Sequence, residues 1–300
     1  MRIEQPRVSP NDIENESVVQ PSVSADASRI IPLKSRAARL RHHILTMARG
    51  KGEGYVGQGL GAADIFTVLY FHEMRCRPDE LHWPDRDRLL LSAGHYSIVL
   101  WAALAELGIF EADELPTYGA DGSRLEMSSC ETTPGVEITG GSLGHGLSQA
   151  VGMALGAGLS KREFRVFNFL SDGELQEGAT WEAAMTASHF NLNNLIALVD
   201  VNNMQADGPV SETMAIESIT QKWEAFGWHT QRVNGNSIPE LLAAFARIQT
   251  VTGRPHVIVC DTKMGCGVSM IEERAKAHFV RVEPEEWDRA FSQLHDSVAT

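Results

Sequence analysis

The sequence predicts an α/β fold, a doubly wound, mainly parallel sheet with helices on both faces. Three observations predict it. Short apolar runs alternate with helix-length segments, the pattern of parallel strands joined by crossovers. The runs are almost continuously apolar, as strands covered on both faces are. The 300-residue chain is 43% hydrophobic, with 26 Gly and 12 Pro, which suits one large core and argues against disorder or a disulfide scaffold.

Taken in order, residues 1–33 are polar, contain Pro and Ser, and lack sustained periodicity; they read as a mobile N-terminal arm. Residues 34–300 form the folded domain. Leu40, Ile44, Leu45 and Met47 mark a first helix. Asp64 to Cys76 is a second, with Ile65, Phe66, Val68, Leu69 and Phe71 on a broad apolar face. The glycine-rich stretch Gly50–Gly61 between them reads as a turn. Leu89–Leu91 is a buried strand leading into Ser-Ala-Gly-His, and Ser97–Leu107 is a helix. The loop Thr139–Gly146 opens a small-residue helix, Leu147–Leu159. Strand Arg165–Leu170, helix Trp181–Phe190 and strand Leu195–Val201 follow. Next come helix Ser218–Phe226, capped by Ser218, and strand His229–Val233. Helix Ser237–Thr250 has Ser237 as N-cap and Pro239 in its first turn, and strand Pro255–Asp261 comes last.

Charge narrows the partners. With 26 Lys and Arg against 39 Asp and Glu, the net charge is −13, which argues against a general nucleic-acid binder. Small anionic ligands remain open, because helix N-termini and bound cations hold phosphate without basic side chains. Cys76, Cys130, Cys260 and Cys266 form no C-x-x-C pair and read as incidental thiols in a reducing compartment. No long apolar stretch and no charged-then-apolar leader is found, so a cytoplasmic location is expected. Gly52–Gly57 fits G-x-G-x-x-G, but that fingerprint needs a strand before it, and here a helix comes first.

Parallel sheets bind ligands at the carboxyl ends of their strands. Leu170 leads into Ser171-Asp172-Gly173-Glu174, and the next strand ends in Asp200-Val201-Asn202-Asn203. Asp172 and Asn202 are about 30 residues apart, one β-α-β unit, which puts both at the same edge of neighbouring strands. A carboxylate and an amide oxygen are hard ligands for Mg²⁺, with Ca²⁺ or Mn²⁺ as alternatives. Gly173 lets a diphosphate approach the backbone. Alone, each would read as a turn or a cap; together they point to a metal and diphosphate site. The loop Thr139–Gly146 is either an anion cradle of backbone N–H groups or a close-packing turn, and its residues do not separate the two.

These pieces resemble the transketolase family, specifically its thiamine-diphosphate-binding N-terminal half. Ser171-Asp-Gly173 to Asn202 matches the family's metal and diphosphate motif, with Ser in place of its first Gly. Leu91-Ser-Ala-Gly-His95 matches L-S-x-G-H, preceded by Asp85-Arg-Asp-Arg88 for D-R-D-R/K. Thr133–Glu137 and Gly141–Gly144 match its diphosphate-loop segment, Ala225–His229 matches A-F/Y-G-W, and Gly265–His278 resembles the segment with its late histidine. The resemblance runs from about residue 34 to the end.

It implies a set of roles. Asp172, Asn202 and the main-chain carbonyl of Met204 hold Mg²⁺ on the diphosphate of thiamine diphosphate. Gly141, Ser142, Leu143 and Gly173 line the cofactor. His95 and His278 face the diphosphate and the reacting centre, where imidazoles suit proton transfer. The implied reaction moves a two-carbon ketol unit from a ketose-like donor to an aldehyde. Alternatives are another thiamine-diphosphate subunit with acyloin or oxoacid chemistry, and a cofactor-binding regulatory subunit. The family's second domain, whose glutamate protonates the aminopyrimidine, has no counterpart before Thr300. The resemblance therefore implies the first subunit of a split transketolase. Its partner would carry the pyrimidine-binding and C-terminal domains, in a heterotetramer, and the chain would be inactive alone. Tyr55, a candidate catalytic position, and Met127 stand where the family carries histidines. That implies a substrate smaller or less hydroxylated than five-carbon sugar phosphates.

Overall fold

The computed structural model describes residues 27–274 and 277–298, so the expected arm up to residue 26 lies outside the described residues. Helix α1 (Ala27–Lys51) begins inside the segment expected as arm. Its buried Leu33 and Ala37 continue the spacing of Leu40 and Ile44, which extends the apolar stripe toward the N-terminus.

Five parallel strands form the central sheet. They are β1 (Arg88–Leu91), β2 (Val166–Ser171), β3 (Leu195–Val201), β4 (His229–Asn234) and β5 (His256–Asp261). Their order is β1-β2-β3-β5-β4. Alternate residues enter two separate cores, one on each face. Phe167, Phe169, Ile196, Leu198 and Ile258 pack into one, and Val166, Leu170, Ala197, Val199 and Val257 into the other. The first core is closed by α1, α2 (Val56–Val68), α3 (Ser97–Glu106), α7 (Ile238–Ile248) and the C-terminal α8 (Trp287–Val298). The second is closed by α4 (Gly146–Leu159), α5 (Gly178–His189) and α6 (Ile219–Ala225). This is the doubly wound arrangement that the two-sided apolar strands predict.

Three local expectations need correction. The stretch Val56–Gly61, expected as part of a turn, is the start of α2. Its glycines serve close packing: a Cβ on Gly57 would lie 2.4 Å from the Ala277 carbonyl oxygen, and one on Gly59 would lie 2.6 Å from Ile98 Cγ2. Helix α5 starts at Gly178, ahead of the first aromatic residue that marked it. Ser218 precedes α6 but does not cap it; Glu217 Oε2 accepts the Ile219 N–H at 2.8 Å instead. Ser237 does cap α7, accepting the Glu240 N–H. Helix α8 was not read from the sequence, although Trp287, Ala290 and Leu294 have the spacing of one buried face.

At the amino edge of the sheet, Asp87 fastens the starts of β1 and β2. It accepts the backbone N–H groups of Arg75 and Arg165 and pairs with both guanidinium groups. Burial pushes Asp87 up, but these donors outweigh it and hold the carboxyl below its ordinary range. Among the described residues, no helix is long and apolar enough to cross a membrane.

Candidate active site

The ends of β2 and β3 place Asp172 and Asn202 side by side, since Ser171 pairs with Asp200 and the Asp172 N–H donates to the Asp200 carbonyl. The Asp172 carboxyl is buried and accepts the N–H groups of Gly173 at 2.7 Å and Asn203 at 2.8 Å. Among the described residues it forms no ion pair. Burial, with the nearby Asp200 carboxyl adding to it, pushes Asp172 up to about 7.

Asp200 points inward from an otherwise apolar strand and organises its neighbour. It accepts from the Tyr96 hydroxyl, from Thr262 Oγ1 at 2.6 Å and from Asn202 Nδ2 at 2.7 Å. Asn202 Nδ2 also donates to the Tyr96 oxygen at 2.8 Å. With its NH₂ held inward, the Asn202 amide oxygen faces the other way and accepts the Met204 N–H at 2.9 Å. Met204–Gln205 pairs with Gly208–Pro209 in a short hairpin at the rim.

The loop that opens α4 lies against these strand ends. Gly144 N–H donates to Glu174 Oε1, Gly146 N–H to Ser92 Oγ, Gly141 N–H to the Ser92 carbonyl and Gly140 N–H to the Ser129 carbonyl. The glycine-rich loop is therefore a packed turn to a large extent, since much of its donor capacity is used within the protein. Burial pushes the Glu174 carboxyl up to about 7.

A two-residue antiparallel pairing of Glu53–Gly54 with Val280–Arg281 brings the start of α2 to the late segment. Tyr55 consequently packs edge-on to His278, with ring centres 5.8 Å apart, and to Phe279 at 5.1 Å. His95, on the turn after β1, is 5.3 Å from Tyr55 and 5.4 Å from His278. Burial, reinforced by His278, lowers His95 to about 3, and burial lowers His278 as well, so both rings are neutral at pH 7. His278 Nδ1 is buried with no protein partner among the described residues.

One cavity of about 500 Å³ joins these parts. Tyr55, His95 and His278 line one side, with Met127 beside them. Asp172, Gly173, Asn202 and Met204 line another, and Gly141 and Leu143 border it from the loop. Ser142 is exposed and is not among the lining residues. Sequence reasoning missed Tyr96, Gln176, Glu177 and Gln205 on the walls, and Glu174 and Asp200 behind them. Asp200 carried a signal, being the one acidic residue in the apolar run Leu195–Val201.

The donor set fits a divalent cation bound with a diphosphate. Among the described residues no three His, Cys, Asp or Glu side chains gather as a metal cluster. One carboxylate with an amide and a carbonyl oxygen is the sparse set that Mg²⁺ completes with phosphate and water. Protein packing does not require glycine at 173, where a Cβ would have the Gln205 side chain at 3.6 Å as its nearest neighbour.

A family model described as the transketolase thiamine diphosphate binding domain matches residues 35–294. A Sinorhizobium fredii protein named only for the transketolase family is 53% identical over 270 residues, covering 89% of this chain and 97% of that one. The 6-deoxy-6-sulfo-D-fructose transketolase subunit SqwG of a Clostridium species is 38% identical over 271 residues, covering 90% of this chain and 98% of that one. The crystal structure of transketolase from Campylobacter jejuni superposes with a TM-score of 0.82 at 29% identity, over 88% of this chain and 42% of that longer chain. The chain thus spans less than half of the crystallised enzyme.

Proposed function

The chain belongs to the transketolase family through its thiamine-diphosphate-binding domain, and on that premise we propose that it works as the first subunit of a two-chain transketolase. In this reading it holds the diphosphate end of thiamine diphosphate through Mg²⁺, and the assembly moves a ketol unit from a ketose-like donor to an aldehyde in the cytoplasm. The observation that carries the reading is Asp172. It is a buried carboxylate without a cationic partner among the described residues, set beside Asn202 at the carboxyl edge.

The Asp172 carboxylate, the Asn202 amide oxygen and the Met204 carbonyl hold the metal. Gly141, Leu143 and Gly173 border the diphosphate, with Ser142 contributing from the loop surface. The bound cofactor supplies the carbanion-stabilising chemistry. His95 and His278, both neutral, each present one donor and one acceptor nitrogen, so they orient a substrate oxygen and pass a proton to or from it. The Tyr55 hydroxyl adds a hydrogen bond, and Met127 an apolar contact, on the substrate side. Together these two favour a smaller or less hydroxylated substrate than a five-carbon sugar phosphate.

The name of the Clostridium relative, a transketolase subunit, supports a second chain here. That chain brings the pyrimidine-binding and C-terminal domains and covers the side with Tyr55, His95 and His278, in a heterotetramer. The test is reconstitution with such a partner. Ketol transfer is expected only when both chains, thiamine diphosphate and Mg²⁺ are present, and with higher kcat/KM for short aldehyde acceptors than for ribose 5-phosphate. Turnover by this chain alone, or turnover indifferent to divalent metal, overturns the reading.

A further inference from the structure

Behind the cavity wall, Glu174 ties three separate chain segments together. It is completely buried, just past the end of β2. Its Oε1 accepts the Gly144 N–H at 2.8 Å and the Ser92 hydroxyl; the Ser92 oxygen in turn accepts the Gly146 N–H at 2.9 Å. Ser92 follows β1, and Gly144 and Gly146 belong to the loop that opens α4. The contact is close-fitting, since a Cβ on Gly146 would lie 2.3 Å from Ser92 Cβ. The other carboxyl oxygen, Oε2, is buried and has no partner among the described residues. A buried carboxyl with half its acceptor capacity unused is costly, so its presence calls for a role.

We propose that Glu174 is the positioning residue of the glycine loop, setting through its bonds to Gly144 and Ser92 the height at which Gly141–Leu143 stand over the strand ends. The inference rests on the reading above for what the loop faces, namely the diphosphate. It goes beyond that reading in assigning the loop's placement to a carboxyl that does not itself line the cavity. Two acceptor bonds made by one oxygen are also within reach of an amide oxygen, so Glu174→Gln keeps the clamp and Glu174→Ala removes it. Ser92→Ala removes one leg.

The experiment has two arms on the full chain, with far-UV circular dichroism to establish that each variant folds. In the first, amide hydrogen exchange is followed without cofactor in a peptide spanning residues 140–147. Faster exchange is expected in Glu174→Ala, an intermediate rate in Ser92→Ala, and wild-type protection in Glu174→Gln. In the second, thiamine diphosphate with Mg²⁺ is titrated into the chain reconstituted with its partner. Glu174→Ala is expected to bind roughly tenfold more weakly, as loss of a supporting contact typically does, with Glu174→Gln restoring the affinity. Unchanged exchange in a folded Glu174→Ala overturns the proposal. So does faster exchange with unchanged affinity, and so does failure of Glu174→Gln to rescue. Absence of cofactor binding by the wild type overturns the functional reading and the diphosphate half of this inference, while the exchange arm still decides whether Glu174 holds the loop. If Glu174→Ala fails to fold, Ser92→Ala carries both arms against the same criteria.

Discussion

At the amino edge of the sheet, Asp87 is fully buried among the guanidinium groups of Arg75 and Arg165 and two backbone N–H donors, which hold its carboxyl low. At the carboxyl edge, Asp172, Glu174 and Asp200 are buried just as deeply. Their donors are N–H, amide and hydroxyl groups, and burial leaves all three raised. The fold thus neutralises a buried charge where it only needs to join two strands. It leaves carboxyls without a cationic partner among the described residues where the proposed metal would be received. A protein that carries the second arrangement gives up stability in the metal-free state and regains it on binding.

The largest expected effect lies at the amino edge. Asp87→Ala removes the acceptor shared by two guanidinium groups and two backbone N–H groups and should cost about 3 kcal/mol or more of unfolding free energy. Urea denaturation measures it, and a loss below about 1 kcal/mol would erase the contrast between the edges. Asp172→Asn should behave differently. Removal of a buried charge without a counterion offsets the loss of one of its two backbone N–H contacts, so the metal-free chain should lose much less stability than Asp87→Ala, while Mg²⁺-dependent affinity for thiamine diphosphate falls about 100-fold. Calorimetry together with the same denaturation series separates the two outcomes.

Asp200→Ala sharpens the comparison within the carboxyl edge. It removes the acceptor of the Tyr96 hydroxyl, Thr262 Oγ1 and Asn202 Nδ2, so the Asn202 amide loses the contact that turns its oxygen outward. About a tenfold loss in metal affinity is expected with the fold retained. A smaller effect concerns pH at the opposite edge. His256, buried against His229 with Nδ1 atoms 3.0 Å apart, is lowered by burial to about 4. Because its folded value lies below the unfolded one near 6.5, its contribution is complete above that value and is lost as pH falls toward 4. The slope from this one group is at most about 1.4 kcal/mol per pH unit. Denaturation midpoints between pH 7 and pH 4 should fall less steeply in His256→Phe than in wild type.

How much of this was legible in the sequence differs by region. The strands were readable because apolar runs such as Leu195–Val201 tolerate little else when both faces are buried. Asp172 and Asn202 were readable because a polar residue that closes such a run must sit at its edge. The start of α2 was not, because glycines at 57 and 59 that serve helix packing look the same as glycines that serve a turn. The Ser218 cap failed because its hydroxyl pairs with the Thr220 hydroxyl and not with a backbone N–H, while the neighbouring Glu217 accepts the Ile219 N–H. Glu174 was invisible as a clamp, since Ser92 and Gly144 are remote in sequence and only the fold brings them to it.

The most direct measurement of the central claim replaces Mg²⁺ with Mn²⁺, an anomalous scatterer, in crystals of this chain with its partner and thiamine diphosphate. The account predicts a metal peak in direct contact with the Asp172 carboxylate and the Asn202 amide oxygen, on the diphosphate. Bound cofactor with no metal at that position, or with the metal held by other side chains, would contradict it.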